Sequence, residues 1–267
     1  MPRIEAAGET LSYLKAGGGA AGLGEPGVDE QVMLLIHGFA SDARSWGLNQ
    51  PALAANATVY AIDLPGHGLS PAQDFGGLDR QAAVVIAAIL ALSPKAPVHI
   101  VGHSMGGAIA LRAASLRPDL VRALSLIAPA GLGGPPNLAF IEGLLAMTDQ
   151  ASARAVLQDL VANPAILSPQ IVTGILAARN RPHTYAAWQA MAQVGAEIWA
   201  RSADLHAALS ALSMPTQIIW GGQDRVLPPP PPPAVALAGL HRMAGYGHVP
   251  HMEAFRQVNP LIADFGV

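Results

Sequence analysis

Pro97-Val98-His99-Ile100-Val101-Gly102-His103-Ser104-Met105-Gly106-Gly107-Ala108-Ile109-Ala110-Leu111, continued by Arg112-Ala113-Ala114-Ser115, is the stretch that decides the fold. Val98 to Val101 carries a short strand signal, Gly102-His103-Ser104-Met105-Gly106 is a Gly-x-Ser-x-Gly turn, and the small residues from Gly107 onward continue as a helix. Strand, Gly-x-Ser-x-Gly and helix in that order predict a sharp elbow that exposes the Ser104 hydroxyl on a strained backbone. Glycine on both flanks fits such a turn, because a Cβ at either position meets the neighbouring strand or helix. Ser104 is therefore the candidate nucleophile.

Outward from the elbow, continuous apolar runs mark strands buried on both faces. They lie at Gln31–Ile36, Ala57–Ile62, Val121–Ile127 and Pro215–Trp220, with a shorter one at Leu240–Met243. Residues 78–92 repeat apolar side chains at helical spacing, and a closing helix is expected over about 250–265. Arg3–Ala6 and Thr10–Leu14, split by a Gly8-Glu9 turn, read as a hairpin. Gly17–Gly27 reads as a glycine-rich connection, and Pro228–Pro233 as a rigid surface turn before a short helix at 234–238. Strands alternating with helices predict an α/β fold: a mostly parallel eight-stranded sheet with helices on both faces. From Leu132 to Ser213 the alternation gives way to helical patterns punctuated by Pro164, Pro169 and Pro182. The expected organisation is a core made of residues 1–131 and 214–267, with residues 132–213 inserted as a helical lid.

The chain has 267 residues, 51% of them hydrophobic and only 12% charged, with a mean hydropathy of +0.35. That is ample material for a large core. No apolar run reaches membrane-spanning length, and Met1-Pro2-Arg3-Ile4-Glu5 lacks the layout of a secretory signal. A soluble cytoplasmic protein with no membrane partner is the expectation. A net charge of −3 argues against a nucleic-acid partner. The absence of cysteine removes disulfides, thiolate metal sites and a cysteine nucleophile. No metal-ligand spacing and no Gly-x-Gly-x-x-Gly after a strand occur, so neither a metal nor another cofactor is expected.

A serine hydroxyl needs a base within hydrogen-bond reach and a third group to orient that base. On a sheet of this kind the acid follows a later strand and the base a later loop. Asp224 follows strand 215–220 in a glycine turn, and His248 sits in Gly245-Tyr246-Gly247-His248-Val249 before the last helix. His251, His241 and His206 are expected to be structural, as are Asp204 and Asp264, and Glu253 to serve only as a structural partner. Developing negative charge on a substrate oxygen calls for fixed backbone donors. The expected pair is the N–H of Met105, at a helix N-terminus, and that of Phe39, in the loop after strand 31–36. His37 is expected to buttress that loop, and His67 and His103 to pack beside the site.

His37-Gly38-Phe39, Asp63-Leu64-Pro65-Gly66-His67-Gly68, Gly102–Gly107, Ile218–Pro228 and Gly245–Glu253 occur in the order and at the spacings of the α/β-hydrolase superfamily, which the chain resembles over nearly its whole length. More narrowly, Val101–Ala114, Ser125–Gly133 and Met214–Pro228 resemble the hydrolase-like domain of dihydrolipoyl acyltransferases from acetoin dehydrogenase complexes. The chain is expected to lack the lipoyl domain of those proteins, and with it a role inside that complex. The resemblance implies a serine carboxylesterase acting on a small-molecule ester. A carbon–carbon bond hydrolase, a lactonase, a thioesterase and a noncatalytic binding module stand as alternatives. A carboxylate nucleophile, as in dehalogenases and epoxide hydrolases of this fold, is excluded because position 104 is Ser.

Apolar insertion residues, among them Leu132, Leu138, Phe140, Ile141, Leu144, Leu145, Met147, Trp188 and Met191, are expected to pack on the core or to line an acyl pocket. Phe39, Phe140, Leu144 and Trp188 are the expected substrate contacts. Such a wall points to uncharged short- or medium-chain esters. Arg154, Arg179 and Arg181, the cations noted on the insertion, are expected to be solvated. The sequence leaves monomer or dimer open.

Overall fold

Consecutive apolar residues become strands whose alternate side chains enter two different cores. The computed structural model describes residues 1–18, 31–72, 74–230 and 239–266. In β3 (Val32–Ile36), Val32, Leu34 and Ile36 join one apolar cluster while Met33 and Leu35 join another on the opposite face. Period-two alternation between two buried faces explains why such a strand reads as an unbroken apolar run.

The strands are β1 (Arg3–Ala6), β2 (Glu9–Ala16), β3, β4 (Thr58–Ile62), β5 (Val98–His103), β6 (Val121–Ile127), β7 (Thr216–Gly221) and β8 (Gly239–Met243). They form one sheet in the order β1-β2-β4-β3-β5-β6-β7-β8. The first two run antiparallel to their neighbours and the other six are mutually parallel. The hairpin turns through Ala7 and Gly8, both at positive φ (51° and 82°).

The helices are α1 (Gln50–Leu53), α2 (Leu78–Leu92), α3 (Met105–Leu116), α4 (Leu138–Ala146), α5 (Gln150–Leu157), α6 (Pro169–Arg179), α7 (Pro182–Ala200), α8 (Ser202–Ala211), α9 (Pro250–Glu253) and α10 (Phe255–Ala263). Helices α2 and α3 bury their apolar stripes on one face of the sheet, and α10 covers the other. Residues 132–213, between β6 and β7, carry α4 to α8 and, among the described residues, no strand. Phe140, Leu144, Met147, Trp188, Met191 and Ile198 of this segment belong to the same apolar cluster as α2 and α3.

Three expectations need correction, the first being the hairpin: its turn is Ala7-Gly8, Glu9 already pairs with Ala6, and the strand runs past Leu14 to Ala16. Strand β5 runs two residues further than its apolar run, to His103, because Gly102 and His103 still pair with Leu126 and Ile127. The single closing helix is two, α9 and α10, separated at Ala254 (φ −122°, ψ 31°). The connection beyond Gly18, the helix at 234–238 and the second half of Pro228–Pro233 fall outside the described residues. Among the described residues, no helix is long and apolar enough to cross a membrane.

Five histidines are packed into this framework: His37, His67, His99, His103 and His251, each 7% exposed or less. Burial, the largest effect in every case, pushes each imidazole below its ordinary value, to about 3 for His67, His99 and His251. The folded chain holds them neutral, whereas the unfolded chain protonates them below about pH 6.5. Their contribution to stability is therefore complete above that pH and is lost as pH falls toward 3. Asp63, whose carboxyl burial pushes up, works in the opposite direction, one group against five. The unfolding free energy from urea titrations is expected to fall from pH 6.5 to 5, by more than about 1.4 kcal/mol per pH unit. A stability profile flat across that window would contradict this balance.

Candidate active site

Ser104 stands between β5 and α3 at φ 53° and ψ −120°, a conformation rare for any residue other than glycine. Its carbonyl accepts from the N–H groups of Gly107, Ala108 and Ala130, and its own N–H donates to Ile127 O at 2.9 Å. At Gly106 an added Cβ would lie 2.3 Å from His37 O, so only glycine lets α3 approach the end of β3 this closely. The elbow is thus locked from both strands that flank it.

His248 lies in the loop before α9. Its Nε2 is 3.0 Å from Ser104 Oγ and its Nδ1 is 2.8 Å from Asp224 Oδ2. A carboxylate only accepts, so Nδ1 carries the proton and Nε2 is left with a lone pair facing the serine hydroxyl. Asp224 follows β7 and is itself fully engaged. Its Oδ1 accepts from the N–H groups of Val226 and Leu227, both at 2.8 Å, and its Oδ2 also accepts from Trp220 Nε1 at 3.0 Å. Ser104, Asp224 and His248 are all buried. The three expected side chains are therefore joined by two hydrogen bonds, with a tautomer fixed by the acid.

The loop after β3 presses on the same spot. A Cβ at Gly38 would lie 3.1 Å from the Ser104 Cβ, which places His37-Gly38-Phe39 directly beside the elbow. His37 is held by two bonds of opposite sense: Nδ1–H donates to Gly38 O at 2.7 Å, and Nε2 accepts from Leu64 N at 3.0 Å. Met105 occupies the first position of α3, where backbone N–H groups have no partner within the helix and the dipole favours negative charge.

His103 and His251 form a stack beneath His248. The His103 ring lies 4.5 Å from His251 and 4.8 Å from His248, and His251 rests on Trp46 at 4.7 Å. His103 Nε2 is 3.0 Å from the His248 carbonyl, so it is the protonated nitrogen and steadies the base loop. His206 caps its own helix through Ser202 O, and Asp204 pairs with Arg201 on the surface.

Sequence reasoning missed how the inserted segment grips these loops. Arg225, next to Asp224, donates to the carbonyls of Gln158 and Val161 and pairs with Asp159. The His248 N–H donates to Leu160 O at 2.8 Å. Glu253 accepts from Ala162 and Asn163 through Oε1 and from Gly247 through Oε2. Residues 158–163 are thus bound to the acid loop, the base loop and α9 together. The only sequence signal was that Arg225 and Glu253 lie within the two motifs that carry Asp224 and His248.

A cavity of about 750 Å³ opens beside the elbow. Phe39, Phe140, Leu144 and Trp188 all line it, with the rings of Phe39 and Trp188 6.2 Å apart. Leu160 and Val161 line it too, from the clamped segment. Its wall is not wholly apolar: Asp42, Arg44, Gln170, Arg181 and Thr184 also contribute. Leu138, by contrast, is 65% exposed. Among the described residues, no group of three or more histidine, aspartate or glutamate side chains could hold a metal ion.

The chain's similarities agree with this geometry. Residues 33–261 match the model of the alpha/beta hydrolase family. The dihydrolipoyllysine-residue acetyltransferase component of the acetoin cleaving system of Pseudomonas putida is 34% identical over 98% of this chain, which spans 68% of that protein's length. The pimeloyl-[acyl-carrier protein] methyl ester esterase of Methylococcus capsulatus is 30% identical, covering 87% of this chain and 93% of that one. Among solved structures, the meta-cleavage product hydrolase of Pseudomonas fluorescens IP01 superposes with a TM-score of 0.82 over 99% of this chain and 96% of that one, at 23% identity. That likeness reaches the fold and no further. With its matched motifs and its strand order, the chain belongs to the alpha/beta hydrolase family.

Proposed function

We propose that this protein is a serine esterase that cleaves carboxylic esters of short to medium acyl chain through an acyl-enzyme intermediate. The observation that carries the reading is the relay from Ser104 Oγ through His248 to Asp224, at 3.0 and 2.8 Å. In this mechanism Ser104 Oγ attacks the ester carbonyl while His248 Nε2 takes its proton. Asp224 stabilises the imidazolium that forms. The oxyanion is received by the N–H groups of Met105 and Phe39, which need no reorganisation to meet it. His248 then returns the proton to the departing alcohol, and water repeats the sequence on the acyl-enzyme. A relative named as a methyl ester esterase supports an ester as the bond cleaved.

Residues 132–213 act here as the lid, and Phe39, Phe140, Leu144 and Trp188 as the contacts of the acyl chain. The small-molecule ester is the only partner this reading requires.

A series of nitrophenyl esters from acetate to palmitate tests the assignment. Wild-type protein is expected to favour the short and middle lengths, and Ser104→Ala to lose at least about 10⁴-fold in kcat. An organophosphonate is expected to label Ser104 in the wild type alone. Absence of hydrolysis at every chain length, or undiminished turnover in Ser104→Ala, would overturn the proposal.

Glu253 is a positioning residue in this scheme, since it touches the base loop and the insertion but not the triad. Glu253→Ala leaves three N–H groups without their acceptor and is expected to cost about 1–3 kcal/mol in urea unfolding. It is also expected to lower kcat more than it raises KM, because His248 loses its fixed seat. Equal stability and an unchanged kcat would remove Glu253 from this role.

A further inference from the structure

The arginines of residues 132–213 separate into two groups by what their guanidinium groups hold, Arg201 being paired with Asp79, Glu197 and Asp204. Arg154 donates to the carbonyls of Leu167 and Pro164, and Arg179 donates to Leu145 O and lies over the Tyr185 ring at 4.4 Å. Both are structural. Arg181 lines the cavity, is partly buried, and makes no side-chain hydrogen bond or ion pair among the described residues. Arg44, the other arginine on the cavity wall, is bound to Asp42.

Two further features converge where Arg181 stands. It is the residue before α7, a helix of 19 residues whose first turn contributes N–H groups and a dipole that attract negative charge. Thr184, in that same turn, is only 3% exposed, lines the cavity, and has a hydroxyl with no hydrogen-bond partner among the described residues. That hydroxyl opens to the cavity and is not sealed in protein, so a polar group entering the cavity can bond to it.

Arg181, Thr184 and Trp188 fall at i, i+3 and i+7, so they share one face of α7. Trp188 is the end of this row beside Phe39. Arg181 lies seven residues away, a rise of about 10 Å. The cavity therefore runs from the aromatic pair Phe39 and Trp188 to a cationic, hydrogen-bonding position two helical turns along α7. An acyl group with a hydrocarbon body and a charged tip matches both ends.

We infer that Arg181 and Thr184 form a carboxylate-binding subsite, and that the preferred substrate is a half-ester of a medium-chain dicarboxylic acid, its free carboxylate held at the start of α7. This refines the esterase reading and rests on it. The planar guanidinium fork suits a carboxylate, with the Thr184 hydroxyl donating a further bond.

Binding to Ser104→Ala protein, which cannot turn the ligands over in this scheme, tests the subsite by calorimetry at low ionic strength. Monomethyl suberate is expected to bind at least about tenfold more tightly than methyl octanoate, which has the same chain length and no charge. That ratio is expected to collapse toward one when Arg181→Met is added, to survive in part with Arg181→Lys, and to shrink with Thr184→Val. Raising the salt is expected to reduce it. A ratio of one in the Ser104→Ala protein, or a ratio untouched by Arg181→Met, overturns the subsite. Wild-type turnover of neutral nitrophenyl esters is read separately. Turnover with a binding ratio of one sinks the subsite alone, and a preserved ratio without turnover sinks the esterase reading alone.

Discussion

Ser104 holds φ 53° and ψ −120° because the chain around it leaves no alternative. Its N–H is tied to β6 and its carbonyl to three donors, while Gly106 brings α3 against the end of β3. A serine in a relaxed backbone would point its hydroxyl along the strand or into the helix. The strain is carried by a parallel sheet whose strands are buried on both faces, so the apolar runs and the Ser104 hydroxyl are parts of one arrangement.

Parallel topology accounts for the rest of the convergence. The loops bearing His37-Gly38-Phe39, Ser104 and Asp224 all leave the carboxyl ends of parallel strands, β3, β5 and β7. The His248 loop comes from the same end of β8. Residues separated by 144 positions, such as Ser104 and His248, thereby become neighbours. Within the loops the fine placement is polar: Asp224 accepts from two backbone N–H groups and from the Trp220 indole as well as from His248, so its carboxylate has one orientation open to it.

How much of this was legible follows from the range of each interaction. Strands such as Val121–Ile127 and the helix Leu78–Leu92 are written in local periodicity, and their bounds agree with the sequence reading residue for residue. Asp224 and His248 could be singled out because each sits in a glycine turn at a place the fold makes special. Trp220 was readable as strand but not as the donor to Asp224, since an indole in a buried strand gives no sign of where its N–H points. The grip of Arg225 and Glu253 on residues 158–163 was invisible because it joins positions 64 to 91 apart, and no periodicity spans such a gap. The break at Ala254 escaped notice for the opposite reason, alanine being the residue least expected to interrupt a helix. The insertion's arginines all looked alike in the sequence, and only their surroundings distinguish them.

The backbone of residues 158–163 supplies carbonyl and amide partners to the loops of Asp224 and His248, while the side chains of Leu160 and Val161 face the cavity. The insertion is consequently not a detachable module. A chimera that imports the cap of a homologue would have to preserve the main-chain course of this one short segment, whatever else it altered. Helices α4, α6 and α7 also line the cavity but take no part in these bonds. The six residues that hold the Asp224 and His248 loops in place lie outside every motif that the sequence shares with the family.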